Sequence, residues 1–127
     1  MQEVICPYCG NNAELTNSAI VYHGRDYGPI YLCKCVEGWA FVGCHKGTTT
    51  PLGRLADREL REWKKRAHSA FDHLWKHGHK TRNDAYQWLA RELNIEANDC
   101  HIGMFDVQTC RRVVEISRKY LKTHRVV

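Results

Sequence analysis

The sequence predicts an α+β fold, in which a small β-rich module is followed by about three helices. Three observations carry this prediction. Cysteine, glycine, tyrosine and β-forming residues concentrate in the first fifty positions. A stretch punctuated by proline and glycine follows, Gly47-Thr48-Thr49-Thr50-Pro51-Leu52-Gly53. Beyond it, apolar residues recur at a helical period. The expected parts are residues 1–50 and 51–127. The first is too small to hold a sufficient core by itself, so the two are expected to share one.

Within the first part, Val21-Tyr22 and Ile30-Tyr31-Leu32 flank the turn-prone Gly24-Arg25-Asp26-Tyr27-Gly28-Pro29 and read as a β-hairpin. A short third strand is expected over Trp39-Ala40-Phe41-Val42-Gly43. In the second part Asp57 is a helix N-cap. Leu60, Trp63, Ala67, Ala70, Phe71 and Leu74 follow at offsets 0, 3, 7, 10, 11 and 14, one apolar stripe. Gly78 is placed to end that helix. Thr81-Arg82-Asn83-Asp84 resembles a capping box, with Asp in place of the longer Glu or Gln. The helix it opens turns Ala85, Trp88, Leu89 and Leu93 to one side, and Asn94 suits its C-terminal end. Ile102, Met104 and Phe105 read as core plugs before a last helix capped by Asp106, with Val107, Cys110, Val113, Val114 and Leu121 inward. A short tail, Lys122 to Val127, ends the chain.

Composition narrows the function classes. An apolar content of 43% supports a folded core. No apolar run approaches the ~20 residues a membrane span needs, and Met1-Gln2-Glu3-Val4-Ile5 has neither the basic nor the long apolar segment of a signal peptide. A cytoplasmic location without membrane association is expected. There thiols stay reduced or bind metal, and seven cysteines cannot all pair. Net charge is +5 and uneven. Residues 1–50 hold three Lys/Arg against four Asp/Glu, and residues 51–127 hold sixteen against ten. Such a surplus suits a nucleic acid or an acidic protein, and equally an ordinary solvated surface.

Metal ligation is the best account of the N-terminal cysteines. Cys6-Pro7-Tyr8-Cys9-Gly10 is a knuckle, in which one tight turn presents two thiolates to one ion, and zinc takes four such ligands in a tetrahedron. Cys33-Lys34-Cys35 supplies a second pair, because residues two apart on a strand point to one face. Cys44 is a rival for the fourth position and His45 a weaker one. Four protein ligands would close the site and make it structural. The first part then becomes a small N-terminal zinc ribbon, a β-hairpin plus a short third strand, packed on the helical bundle. Cys100 and Cys110 read as small buried apolar residues.

At this point a family resemblance is visible. It rests on Cys6-Pro7-Tyr8-Cys9-Gly10, Phe41-Val42-Gly43-Cys44-His45-Lys46-Gly47-Thr48, Pro51-Leu52-Gly53-Arg54-Leu55-Ala56, and Cys100-His101-Ile102-Gly103-Met104-Phe105-Asp106 with Cys110-Arg111-Arg112-Val113-Val114. Together these stretches resemble a zinc-finger-containing domain family of uncharacterised function found in bacterial and phage genomes. The resemblance implies the fold, a zinc ion and a phage or prophage setting, and no particular chemistry. Members often have a longer spacer between the third and fourth zinc cysteines than Cys33-Lys34-Cys35, which keeps Cys44 open as the alternative to Cys35.

The remaining constellations are weaker. His73 and His77 lie four apart on a helix and can share a metal, but with no Glu of a His-Glu-x-x-His motif between them a partly exposed polar face is the better reading. His45-Lys46-Gly47 and the threonines after it can hold a phosphate, but lack the spacing of a nucleotide-binding loop. His45, Lys46 and His101 form a possible polar site, which with a carboxylate such as Asp57, Asp72 or Asp106 would suit a small metal-dependent nuclease. Arg58, Arg61 and Lys65 fall at i, i+3 and i+7, a basic stripe suited to phosphates, and Arg111, Arg112, Arg118, Lys119 and Lys122 add to it from the last helix. Tyr8, Tyr22, Tyr27 and Tyr31 can stack on bases or on one another across strands. The leading expectation is a zinc-containing, non-catalytic nucleic-acid-binding module for DNA. The alternatives are a phage-type factor acting on a host protein and the nuclease.

Overall fold

The Ile30-Tyr31-Leu32 run forms the central strand of a three-stranded sheet. The computed structural model describes residues 3–76 and 80–123. Strand β1 (Glu14–Asn17), β2 (Pro29–Cys33) and β3 (Ala40–Gly43) make an antiparallel sheet in that order. Its register sets Leu15 opposite Tyr31 and Tyr31 opposite Val42. Helices α1 (Arg58–Lys76), α2 (Arg82–Leu93) and α3 (Val107–Thr123) follow, with single 3-10 turns at Ser18–Ile20, Ala97–Asp99 and Ile102–Met104.

The hairpin is longer than its sequence signals suggest. Val21-Tyr22 is a turn, and the strand that pairs with β2 lies earlier, at Glu14–Asn17. Side-chain hydrogen bonds explain the difference. Asn17 Oδ1 accepts from the Ala19 N–H at 2.7 Å and starts the 3-10 turn, an alternative to strand pairing that Asn readily offers the backbone. Asp26 accepts from Gly28 N–H at 2.8 Å, and the Tyr27 N–H donates to the buried Ser18 hydroxyl at 2.7 Å. The third strand starts one residue later than expected, because Trp39 sits in the left-handed region at φ 58° and ends the preceding turn.

Contacts divide the chain into residues 1–61 and 62–127, a boundary that falls within α1 rather than between residues 50 and 51. The stretch read as a linker pairs back onto the first unit. Cys44 bridges to Pro51 and Phe41 to Ala56, and the Ala56 N–H donates to Phe41 O at 3.1 Å. The first unit has a small core of Cys6, Tyr31, Ala40 and Leu55.

The helical expectations hold at their caps. Asp57 Oδ1 accepts from Leu60 N–H, Thr81 Oγ1 from Asp84 N–H, and Asp106 Oδ1 from Thr109 N–H. Asn94 closes α2 at φ 57°, a conformation Asn tolerates better than most residues. Gly78, His77 and residues 124–127 of the tail lie outside the described residues. In the second unit Phe71, Leu89, Cys110 and Val113 are wholly buried. Phe71 meets Tyr86 edge-on at 4.7 Å, which ties α1 to α2, and Arg111 of α3 lies 4.9 Å from the Trp63 ring of α1. Ile102 and Phe105 are the expected plugs, but Met104 is 55% exposed. Successive residues of a 3-10 turn are set about 120° apart, so Met104, two positions after the buried Ile102, points away from it.

Candidate metal centre

The knuckle is built by a tight backbone turn. Ile5 pairs with Asn12, Cys6 N–H donates to Asn11 O at 2.8 Å, and Gly10 N–H donates to Cys6 O at 2.9 Å. Gly10 closes the turn at φ 78°, where glycine has no side chain to strain. The second pair comes from the end of β2. Cys33 is its last residue, Cys35 follows two positions on, and the chain then turns at Gly38 and Trp39 into β3. A Cβ at Gly38 would come within 3.2 Å of the Arg58 guanidinium as well as adopting φ 75°, so this turn is specified twice over.

These two segments bring four sulfurs together. The ligand atoms of Cys6, Cys9, Cys33 and Cys35 all lie within 4.8 Å of one another. Cys6 Sγ is 3.6 Å from Cys35 Sγ, and Cys9 Sγ is 3.6 Å from Cys33 Sγ. Bonds of ~2.3 Å from zinc to four sulfurs at tetrahedral angles would separate the sulfurs by about 3.8 Å. A disulfide would need ~2.05 Å, and Cys6, Cys9, Cys33 and Cys35 form none. The residues present therefore fit a tetrahedral zinc ion, with Cys33 at the end of β2 and Cys35 in the bend that follows it.

The crowding has an electrostatic consequence. Loss of solvation, and then the adjoining thiols of Cys33, Cys6 and Cys9, push the Cys35 thiol up to about 12. The Asn11 backbone N–H pulls the Cys9 thiol below its usual value. Four thiols so close cannot all ionise without a cation among them, and a divalent ion supplies that charge.

Cys44 is not a member of the group. It is half-buried against the first unit's core, in the bridge to Pro51, and burial alone pushes its thiol up. Cys100 and Cys110 are buried in the second unit, as expected of small apolar residues. The four-cysteine group is the one cluster of three or more His, Cys, Asp or Glu with metal-binding geometry among the described residues.

A sheet of three antiparallel strands bearing a four-cysteine site and followed by helices defines the class, a zinc-ribbon fold with a helical continuation. The model of a family described as a zinc-finger-containing domain matches residues 2–120, and the chain belongs to that family. No curated protein and no solved structure matches it significantly.

The basic residues divide into engaged and exposed. Arg61, expected on a phosphate-facing stripe, is instead turned inward. Its guanidinium donates to Ala56 O at 2.8 Å and Trp39 O at 3.1 Å, approaches Gly38 O at 3.4 Å, and lies 4.1 Å from the Phe41 ring centroid. Loss of water depresses its pKa. Helical periodicity reveals the stripe but not the carbonyls that a turn twenty residues earlier presents to it. Arg58 and Lys65 are exposed, as are Arg111 and Arg112. His45 and Lys46 are exposed on the first unit, and His101 is exposed on the second.

Tyr31 and Tyr8 pack within the ribbon, whereas Tyr22 and Tyr27 pair on its surface. Tyr31 is buried and donates to Thr49 O at 2.7 Å, Tyr8 Oη accepts from Asp57 N–H at 3.0 Å, and Tyr22 meets Tyr27 edge-on at 5.3 Å. What sequence reasoning missed is a set of cation–aromatic contacts in the second unit, such as Arg66 at 4.9 Å from the Trp63 ring. Their only signal is the interleaving of Trp with Lys and Arg along the chain.

Proposed function

We propose that this chain is a zinc-stabilised module that binds nucleic acid, DNA in particular, and performs no catalysis of its own. The observation that carries the reading is the outer face of α3. Arg111, Arg112, Arg118, Lys119 and Lys122 are all exposed there, with Glu115 the single acid among them. At 3.6 residues per turn they occupy about a third of the helix circumference. The charge balance points the same way. Residues 62–127 carry thirteen Lys/Arg against eight Asp/Glu, whereas residues 1–61 carry six of each, so the whole net charge of +5 belongs to the second unit. A row of cations of this kind releases counterions from a phosphate backbone and gives affinity that falls with salt.

In this reading zinc is held by Cys6, Cys9, Cys33 and Cys35. Four protein ligands leave no open position, so the metal shapes the ribbon and activates nothing. The test is a titration of duplex DNA, single-stranded DNA and RNA over a range of salt. Wild type binds with a steep negative salt dependence. Exchanging Arg112, Arg118 and Lys122 together for Gln lowers the slope for duplex DNA by about 0.9 for each phosphate no longer neutralised. Affinity that is undetectable at low salt, or indifferent to salt, removes the proposal.

A second reading, a factor acting on a host protein, draws on the first unit. That unit is electrically balanced and exposes Ile5, Leu15, Ile20 and Tyr27, the last at 68%. Exposed apolar side chains in number suit a protein partner better than a phosphate backbone. Recovery of no stoichiometric protein by the immobilised zinc-loaded chain would count against it.

A further inference from the structure

Helices α2 and α3 enclose an open groove of about 480 Å³ in the second unit. Trp88 and Glu92 line it from α2, and Glu115, Ile116, Lys119 and Tyr120 from α3. Trp88 and Tyr120 meet with ring centroids 5.1 Å apart and planes inclined at 62°. The Lys80 ammonium lies over both rings, 5.6 Å from the first centroid and 5.1 Å from the second. Lys119 is shared between the groove and the basic face of α3.

The chemistry of the lining separates two parts of a possible ligand. At the groove the carboxylates of Glu92 and Glu115 offset the ammonium groups of Lys80 and Lys119, so it holds no surplus positive charge for a phosphate, which also finds no use for indole and phenol rings. A heterocyclic base has what the groove can take, a flat π face for the aromatic pair and ring or amino N–H groups for the carboxylates to accept from. Phosphates instead suit the adjoining row of Arg112, Lys119 and Lys122. Aromatic side chains beside a basic track are the arrangement by which proteins hold single strands, because every base presents a π face when it is unpaired. A duplex keeps its bases stacked and paired, and cannot offer one to a groove without unpairing it.

We propose that this groove is a base-binding subsite, and that the chain's preferred ligand is single-stranded nucleic acid. The strand's phosphates run along the exposed face of α3, and one base enters beside Trp88 and Tyr120. The inference rests on the nucleic-acid reading above and adds the strandedness of the ligand and the residues that select it.

The test uses the zinc-loaded full chain and two oligonucleotides of equal length, oligo(dC) and the same backbone with every base replaced by an abasic analogue. Phosphate binding alone treats them equally. With a base subsite, wild type binds oligo(dC) about ten-fold more tightly than the abasic strand. Trp88→Leu and Tyr120→Leu, each checked for a native circular dichroism spectrum, remove most of that ratio and leave abasic binding unchanged. The Arg112→Gln, Arg118→Gln, Lys122→Gln triple variant weakens both strands and keeps the ratio. Equal wild-type affinity for the two strands overturns the groove assignment and leaves the nucleic-acid reading standing. Absence of binding to either strand at low salt overturns the groove assignment, and together with absence of binding to duplex DNA and RNA in the titration above it overturns the nucleic-acid reading as well. The wild-type comparison requires no variant to fold, so the outcome does not depend on how α2 and α3 tolerate the substitutions.

Discussion

Replacing Arg61 by methionine separates a structural guanidinium from a phosphate contact. Methionine keeps an unbranched chain of similar reach and removes only the charged donors. Two of the three carbonyl contacts are good hydrogen bonds, at 2.8 Å to Ala56 O and 3.1 Å to Trp39 O, while the third, at 3.4 Å to Gly38 O, is long. Hydrogen bonds from a charged donor contribute ~1.5–3 kcal/mol each. The Ala56 carbonyl keeps its other donor, Phe41 N–H, so its loss is partial. Contact with the Phe41 ring at 4.1 Å contributes ~0.5–1 kcal/mol at a half-buried position. The expected destabilisation is about 3 kcal/mol, read from urea unfolding of the zinc-loaded protein. Arg61→Lys retains one point donor and recovers about half of it. On the proposed DNA-binding reading, the folded fraction of Arg61→Met should keep the wild-type affinity, because the guanidinium is committed to carbonyls. A stability change of less than about 0.5 kcal/mol, or a loss of affinity in the folded fraction, would refute the structural assignment and return Arg61 to the phosphate-facing stripe.

The ligand set is tested by Cys35→Ser and Cys44→Ser: the first lowers bound zinc well below one per chain by mass spectrometry and the second does not, and the reverse result would move the fourth ligand to Cys44. Zinc binding must expel protons from the crowded thiols, Cys35 above all since it is held up to about 12, so affinity falls as pH falls. Calorimetric titration in buffers of different ionisation enthalpy should show several protons released per zinc at neutral pH, and no dependence on buffer would sink the four-thiolate site. Ser117 is wholly buried in α3 with a hydroxyl that meets no hydrogen-bond partner among the described residues, so Ser117→Ala should stabilise by about 1 kcal/mol in chemical denaturation; a destabilised variant would mean that the hydroxyl is satisfied after all. Asn94→Gly should be neutral to within about 0.5 kcal/mol and Asn94→Ala destabilising by about 1 kcal/mol, since only the second pays for the left-handed backbone.

What was legible in the sequence was whatever local chemistry decides. Asp57, Thr81, Asn94 and Asp106 mark helix ends by hydrogen bonds to residues only a few positions away, and they mark them correctly. The cysteine knuckle is legible for the same reason, since its geometry is set within Cys6–Gly10. The first strand was misplaced because Val21 and Tyr22 carry a strong β-propensity that the hydrogen bonds of Asn17, Ser18 and Asp26 override. The linker was misread because proline and glycine do not distinguish a connection from a loop that pairs back, and only the long-range bridges Cys44–Pro51 and Phe41–Ala56 make that distinction. Arg61 and the Trp88–Tyr120 groove were hidden for a related reason. Each depends on partners twenty or more residues away, which periodicity along one helix does not contain.

The placement of Cys6 explains why the metal and the ribbon stand together. It is both a member of the thiol cluster and a fully buried residue of the first unit's core, beside Tyr31, Ala40 and Leu55. Beyond this cluster the unit buries Ile30, Leu32 and Ala56, still a small core for some sixty residues, and units of this size commonly add a metal to burial. Without a cation its most buried thiol would also sit within 4.8 Å of three others. An ion held by Cys6, Cys9, Cys33 and Cys35 would join the knuckle to the end of β2 and neutralise the thiolate charge there. The second unit has no such need. Its core is built from Phe71, Leu74, Leu89, Ile102 and Val113, none of them a ligand, and it carries the chain's entire net positive charge. The four clustered cysteines and the surplus positive charge thus belong to different units.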